Sequence, residues 1–213
     1  LIDQIVSFGK PYPILILTGG DVLKRRCLFD LISYARRKEI HVSVAPSVTP
    51  LLTEATINRF VAAGVEAMSL SLDGVSKRTH DELRGVDGTF DRTLAMARHA
   101  VSTGLTVQIN TTVMQNNLLE LPALFRAIYD IGVNIWEVFF LIRTGRGSEQ
   151  AEPTPDECES VCQFLYSASQ YGIIARTVEA PFFRRVAAEQ SGETPPEING
   201  LASALITDLR NLM

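Results

Sequence analysis

The chain has 213 residues, 46% hydrophobic and 21% charged, with a net charge of −4. That length and apolar content support a full core and exclude a mainly disordered chain. The acid surplus speaks against a nucleic-acid binder, and the apolar runs are strand-length, far short of a membrane span.

In chain order, residues 1–10 read as the end of a helix, with Ile2, Ile5 and Val6 on one face and Gly9 as its stop. Pro11 and Pro13 turn into a strand, Ile14–Thr18, whose unbroken apolar run predicts a parallel strand buried on both faces. A helix is predicted over 26–38, then a strand Ile40–Ala45. Thr53 caps the next helix, which Gly64 ends. A third strand, Ala67–Leu72, runs directly into Asp73-Gly74, followed by a polar segment with a short helix near 76–83. Further helices are predicted from Phe90 to Ser102, over 118–131 starting at Asn117 or a neighbour, and from Thr154 to Tyr171. The last has Pro at its first position and acids in its first turn. Strands are predicted at Thr106–Val113, Ile135–Ile142 and Ile173–Val178. Gln190–Pro196 reads as a link and 199–212 as a terminal helix.

The strands recur about every thirty residues with one helix between, which is a βα period. It predicts an α/β fold: a parallel sheet with right-handed crossovers, curling toward a barrel. The barrel core is expected over 1–180, with a loop and helix extension over 181–213. The three cysteines, an odd number and widely spread, form no disulfide framework and fit the cytoplasm. The chain shows no signal-peptide pattern and starts with Leu1 rather than Met, so it is expected to begin inside a larger protein.

In such a fold the residues at strand C-termini converge on one face, where chemistry is placed. Here they are Gly19, Gly20 and Asp21; Pro46 and Ser47; Ser71, Asp73 and Gly74; Asn110 and Thr112; and Arg143–Gly147. The set has no clustered His, no Cys nucleophile and no paired base. It suits holding a polar, partly zwitterionic ligand. Asp21 would accept hydrogen bonds from an ammonium, and Ser71 and Asn110 would hold a carboxylate or ribose.

These segments resemble a known family. Thr18-Gly19-Gly20-Asp21 looks like the GGE-type motif of radical S-adenosylmethionine (radical SAM) enzymes, with Asp in place of Glu. Ser69-Leu70-Ser71-Leu72-Asp73-Gly74, Thr79-His80-Asp81, Leu83-Arg84-Gly85, Gly88-Thr89-Phe90 and Gln108-Ile109-Asn110-Thr111-Thr112 are similar to one branch. It contains the enzymes of coenzyme PQQ, haem d1 and molybdenum-cofactor synthesis. The resemblance covers about 10–180 and implies a partial TIM-like (β/α)6 barrel. It assigns Gly19, Gly20 and Asp21 to the SAM amino group, Ser71 and Asn110 to its carboxylate or ribose, and Phe140, Leu141 and Ile142 to its adenine. Ser47 and Asp73 complete the expected cofactor-binding set. The implied chemistry is reductive cleavage of SAM to a 5′-deoxyadenosyl radical that takes a substrate hydrogen. A [4Fe-4S] cluster and an electron donor such as flavodoxin or ferredoxin are implied, with a small-molecule or peptide substrate. Neither nucleic acid nor membrane is expected as a partner. The family's C-x3-C-x2-C cluster loop is absent from these residues. The first βα unit and the cluster ligands are therefore expected upstream of residue 1, with no metal ligand and no catalytic residue in this chain.

Alternatives stand beside these readings. Gly19-Gly20-Asp21 alone fits an ordinary tight turn. Asp73 also fits an N-cap of the following helix. Asn110 is out of place in a strand interior and needs partners. Cys158 and Cys162, four apart on one helix face, read as buried small hydrophobes, Cys27 as a packed helix residue and His80 as support for its loop. Arg143 and Arg146 fit either an anion site or a solvated loop. Two other functions remain open: a lyase or aldolase-like barrel using Asp21 or Asp73 as base and the Arg143–Gly147 loop for a phosphorylated substrate, and a degenerate barrel that binds a partner or a nucleotide without chemistry.

Overall fold

The computed structural model describes residues 1–142, 151–178, 180–192, 197–198 and 200–213. Its strands are β1 (Leu15–Leu17), β2 (Val42–Val44), β3 (Ala67–Ser71), β4 (Thr106–Val113), β5 (Ile135–Phe140) and β6 (Ile174–Val178). They form one open parallel sheet in the order β1-β2-β3-β4-β5-β6. The helices are α1 (Ile2–Ser7), α2 (Leu28–Arg37), α3 (Glu54–Ala62), α4 (Lys77–Arg84), α5 (Thr89–Ser102), α6 (Leu121–Ile131), α7 (Pro155–Ser169), α8 (Phe182–Gln190) and α9 (Gly200–Leu212). The βα period is therefore present in order, although most strands are shorter than predicted. Two compact units divide the chain: 1–71 with 91–108, and 72–90 with 109–213.

In the first unit the helix-facing side of β2 and of β3 is dry. Val42 and Val44 of β2, Met68 and Leu70 of β3, Ile32 of α2, and Ile57 and Phe60 of α3 are all buried. The opposite face alternates with it, so Ser43, Ala67, Ser69 and Ser71 are half-buried. The expectation that β1 is buried on both faces fails. Among the described residues β1 pairs with β2 alone, and Ile14 and Ile16 are 64% and 57% exposed. An edge strand reads like a central one when the sequence shows only its apolar run.

In the second unit Trp136 of β5 is the centre of the core. It is fully buried, with Phe125 of α6 at 5.7 Å and Phe164 of α7 at 6.1 Å between ring centroids. Burying an indole N–H without a partner is costly. It donates to Thr111 Oγ1 at 2.9 Å, and that hydroxyl donates to the Leu72 carbonyl at 2.7 Å. Thr154 and Glu157 form the capping box at the start of α7, with Pro155 at its first position, as the sequence indicates. α8 was not foreseen. α8 packs on α7, and α9 packs on α6 and α7, burying Leu205 and Leu209. Residues 193–196 of the predicted link lie outside the described residues.

Candidate functional site

In the first unit, β1 ends in a turn made by two glycines. Gly19 has φ +96° and Gly20 φ +51°, in the left-handed region that penalises a side chain, and a Cβ at either would meet nothing within 4 Å. Main chain therefore faces open space. The loop after β2 braces this turn. The Ser47 hydroxyl donates to the Gly20 carbonyl at 2.8 Å, and the Thr49 hydroxyl donates to Asp21 Oδ2 at 2.8 Å. Asp21 Oδ1 accepts the Leu23 N–H at 3.1 Å and so caps a short 3-10 turn, Val22–Lys24. A carboxylate offers about four lone-pair sites. The two bonds fix its orientation and leave acceptor capacity for an ammonium. Gly19, Gly20, Asp21 and Ser47 thus come together. Ser71 ends β3 on its half-buried face. Thr49 was missed; a second hydroxyl two residues past Ser47 was the available signal.

In the second unit, the segment after β3 is built differently. Asp73 is fully buried. Its Oδ1 accepts the Thr112 N–H at 2.8 Å and its Oδ2 accepts the Arg84 guanidinium. Its own N–H donates to His80 Nδ1 at 3.1 Å. Asp73 does not cap the following helix; Ser76 does, accepting the Thr79 N–H at 3.1 Å. The carboxylate ties the end of β4 to α4, one partner on each oxygen. His80 is 1% exposed. Burial pushes its imidazole below the ordinary value of 6.5 although Asp73 pulls the other way, so Nδ1 is held as a neutral acceptor.

The sequence does not assign the roles of three further residues in this network. The Asn117 amide donates to the carbonyls of Asp73 and Thr112, each at 2.8 Å, and accepts the Met114 N–H at 2.8 Å. Asn117 stands at the N-cap of the 3-10 turn Leu118–Glu120, as expected, and this occupation explains why its side chain makes no capping bond there. Asp81 accepts the Thr89 hydroxyl and the N–H groups of Gly88 and Phe90, each at 2.7 Å. Burial alone would raise its pKa; the Thr89, Phe90 and Gly88 donors outweigh that and hold it below the usual carboxylate value. Glu120 accepts the Val75 N–H at 2.8 Å and the Thr79 hydroxyl. A Cβ at Gly74 would stand 2.7 Å from Thr79 Cβ and 3.0 Å from Glu120 Oε2, so only glycine fits there.

Asn110 lies half-buried on β4, and its carbonyl accepts the Leu72 N–H at 2.9 Å. Phe140 closes β5 two residues earlier than predicted, with its ring 5.5 Å from Phe182 of α8. The Leu141 N–H donates to the Val113 carbonyl at 3.1 Å, and Ile142 is 62% exposed. Arg143–Gly147 lie outside the described residues.

Among the described residues no three of His, Cys, Asp or Glu gather to hold a metal ion. The described residues offer no set of ligands that fits an iron–sulfur cluster. Cys162 is fully buried and Cys158 partly so; burial pushes the Cys162 thiol up to about 12.

Comparison with known proteins gives these strand ends a context. The radical SAM superfamily pattern matches residues 1–128, and the chain belongs to that superfamily. It is 36% identical over 199 residues to the AdoMet-dependent heme synthase of Methanosarcina barkeri, covering 93% of this chain and 56% of the relative. It is 29% identical over 148 residues to the pre-heme d1 synthase of Dinoroseobacter shibae, covering 70% of this chain and 36% of the relative. The crystal structure of Streptococcus suis SuiB shares the fold at TM-score 0.65 with 15% identity, over 86% of this chain and 43% of that one. The chain spans about half the length of the first curated relatives it matches, 56%, 50% and 53%. No described helix is long and apolar enough to cross a membrane.

Proposed function

We propose that this chain is the SAM-binding part of a radical SAM enzyme that modifies a tetrapyrrole during haem-type cofactor synthesis. The observation that carries the reading is the open glycine turn braced at Asp21, within a chain 36% identical to an AdoMet-dependent heme synthase. In this reading bound SAM, given one electron from a [4Fe-4S] cluster, would supply the chemistry that takes a hydrogen atom from the substrate.

The chain's own residues bind and orient. The Gly19–Gly20 main chain lets the methionine end approach closely, and Asp21 accepts from its ammonium. Ser47 and Thr49 hold that turn in place. Ser71 and Asn110 keep the carboxylate or ribose assignment, and Phe140, Leu141 and Ile142 the adenine assignment. Asp73 keeps its place in the expected cofactor-binding set, its carboxylate also taking the Thr112 N–H and the Arg84 guanidinium. An electron donor of the flavodoxin or ferredoxin type completes the proposal.

The test is anaerobic reconstitution of the full-length protein with iron and sulfide, followed by reduction in the presence of SAM. Formation of 5′-deoxyadenosine is expected, and Asp21→Ala is expected to weaken SAM binding about tenfold or more. A reconstituted, reduced protein that yields no 5′-deoxyadenosine would sink the reading.

A further inference from the structure

Charge is shared unevenly along this chain. The first unit holds ten Lys and Arg against seven Asp and Glu, out of 20 and 24 in the whole chain, so it is basic within an acidic protein. Four of those cations gather just past the glycine turn. Lys24, Arg25 and Arg26 are consecutive and exposed, and Lys24 closes the 3-10 turn that Asp21 caps. Arg59, exposed in the last turn of α3, joins them. Its guanidinium carbon lies 4.0 Å from the centroid of the Phe29 ring, in the first turn of α2.

Folding does not account for this cluster. A helix N-terminus carries the positive end of the dipole and favours acids, so three cations just ahead of α2 oppose it. Asp30 is the one acid in that first turn. Among the described residues no carboxylate ion-pairs with any of the four cations, while Asp3, Glu39 and Glu66 are taken by Lys38, Lys10 and Arg36. Arg25 Nε donates to Cys27 Sγ at 3.2 Å, and the Phe29 ring holds the Arg59 guanidinium by stacking. Exposed like charges repel one another, and an anionic surface laid across them relieves that repulsion.

We propose that Lys24, Arg26 and Arg59 form the docking surface for an acidic electron-transfer protein, the donor that the radical SAM reading above calls for and on which this assignment rests. The position suits the role. An electron meant for SAM held at Asp21 has to arrive beside this turn, and the basic run begins three residues past Asp21. The chemistry suits it too. Complementary charges at the rim speed encounter and set register without a long residence, which is what a partner that delivers one electron and leaves requires. Transient electron-transfer contacts are small in area, so a few exposed cations carry a large share of one.

The experiment titrates the full-length reconstituted protein with flavodoxin and, separately, with a plant-type ferredoxin, following the fluorescence anisotropy of a label on the donor. The wild type is expected to bind at least one of them at low salt and to lose about tenfold in affinity as salt rises from about 20 to about 300 mM. Arg26→Glu and Arg59→Glu should each weaken binding by about 3- to 10-fold, and the double variant by more. The same reversal at Arg210, exposed on α9, should change nothing. Formation of 5′-deoxyadenosine is then compared with the protein donor and with dithionite as reductant. The double variant should lose rate with the protein donor alone. Thermal melting of each variant separates a folding defect from a lost contact. A wild type that binds neither donor, a double variant that binds like the wild type, or a folded double variant that is equally slow with dithionite overturns the docking surface. Capture of anionic phospholipid vesicles through Arg26 and Arg59, with neither donor bound, overturns it in favour of a membrane surface. A wild type that binds a donor through Arg26 and Arg59 yet forms no 5′-deoxyadenosine with dithionite has the opposite meaning: the docking surface stands and the SAM chemistry falls.

Discussion

The turn after β1 and the segment after β3 do comparable work at strand ends with opposite materials. The first is main chain in open space: two glycines at positive φ, with hydroxyls bracing it from the side. The second is side chain in a dry interior, where Asp73, Asp81, Glu120 and Asn117 take up main-chain N–H and carbonyl groups one by one. A turn with its backbone uncovered leaves room for a neighbour. A loop that must stay still buries its polar groups and satisfies them.

The contrast is broken hardest at Asp73. Asp73→Ala strands the Thr112 N–H and leaves Arg84 without its carboxylate. Because the Arg84 side chain is 37% exposed, the loss is put at the lower end for a broken buried pair, about 3 kcal/mol by urea unfolding. Next come two glycines kept for different reasons. Gly74→Ala forces its Cβ against Thr79 and should cost about 2 kcal/mol of stability as an overpacking defect. Gly19→Ala meets no atom but strains a left-handed residue, costing about 1 to 2 kcal/mol. Its larger effect is expected on SAM affinity, read by equilibrium binding. If Gly74→Ala and Gly19→Ala impair SAM binding equally, the division between cradle and scaffold fails. Thr49→Val removes one bond to Asp21, which is half-buried, and should cost about 1 kcal/mol or less.

The smallest effect is a pH slope. His80 is held neutral by burial, below its ordinary value of 6.5. The unfolded chain therefore binds a proton that the folded chain refuses once the pH drops below about 6.5. Stability is full above that pH and declines below it, toward the folded pKa. Asp81 enters only later: its lowered pKa adds stability above about pH 4, lost as the pH falls through the folded value. Melting temperatures of the wild type and His80→Gln from pH 7.5 down to about 5.5 check this. A slope that survives the substitution unchanged would assign it elsewhere.

The βα period was legible because a helix and a strand each leave a local pattern, and Gly64, Gly104 and Gly132 punctuate it. The α7 start was legible for the same reason, since Thr154, Pro155 and Glu157 are adjacent in sequence. Exposure of β1 was not, because an apolar run looks the same with a neighbour on one side or two. Nor were the network roles of Asn117 and Glu120. Their partners include Asp73, 44 residues from Asn117, and Val75, 45 residues from Glu120. Nothing local distinguishes such a polar residue from a solvated one. The strand-end motifs carried Gly19, Gly20, Asp21 and Ser47 to one place, but they could not say that Thr49 would lock Asp21.

The burial of Cys162 has a consequence for anyone loading the protein with iron and sulfide. Thiolate is the form that captures metal. With its proton held until about pH 12, Cys162 stays out of that competition at neutral pH, and Cys158 is shifted in the same direction, chiefly by burial. These two thiols can sit one helical turn apart on α7 without becoming a sink for iron.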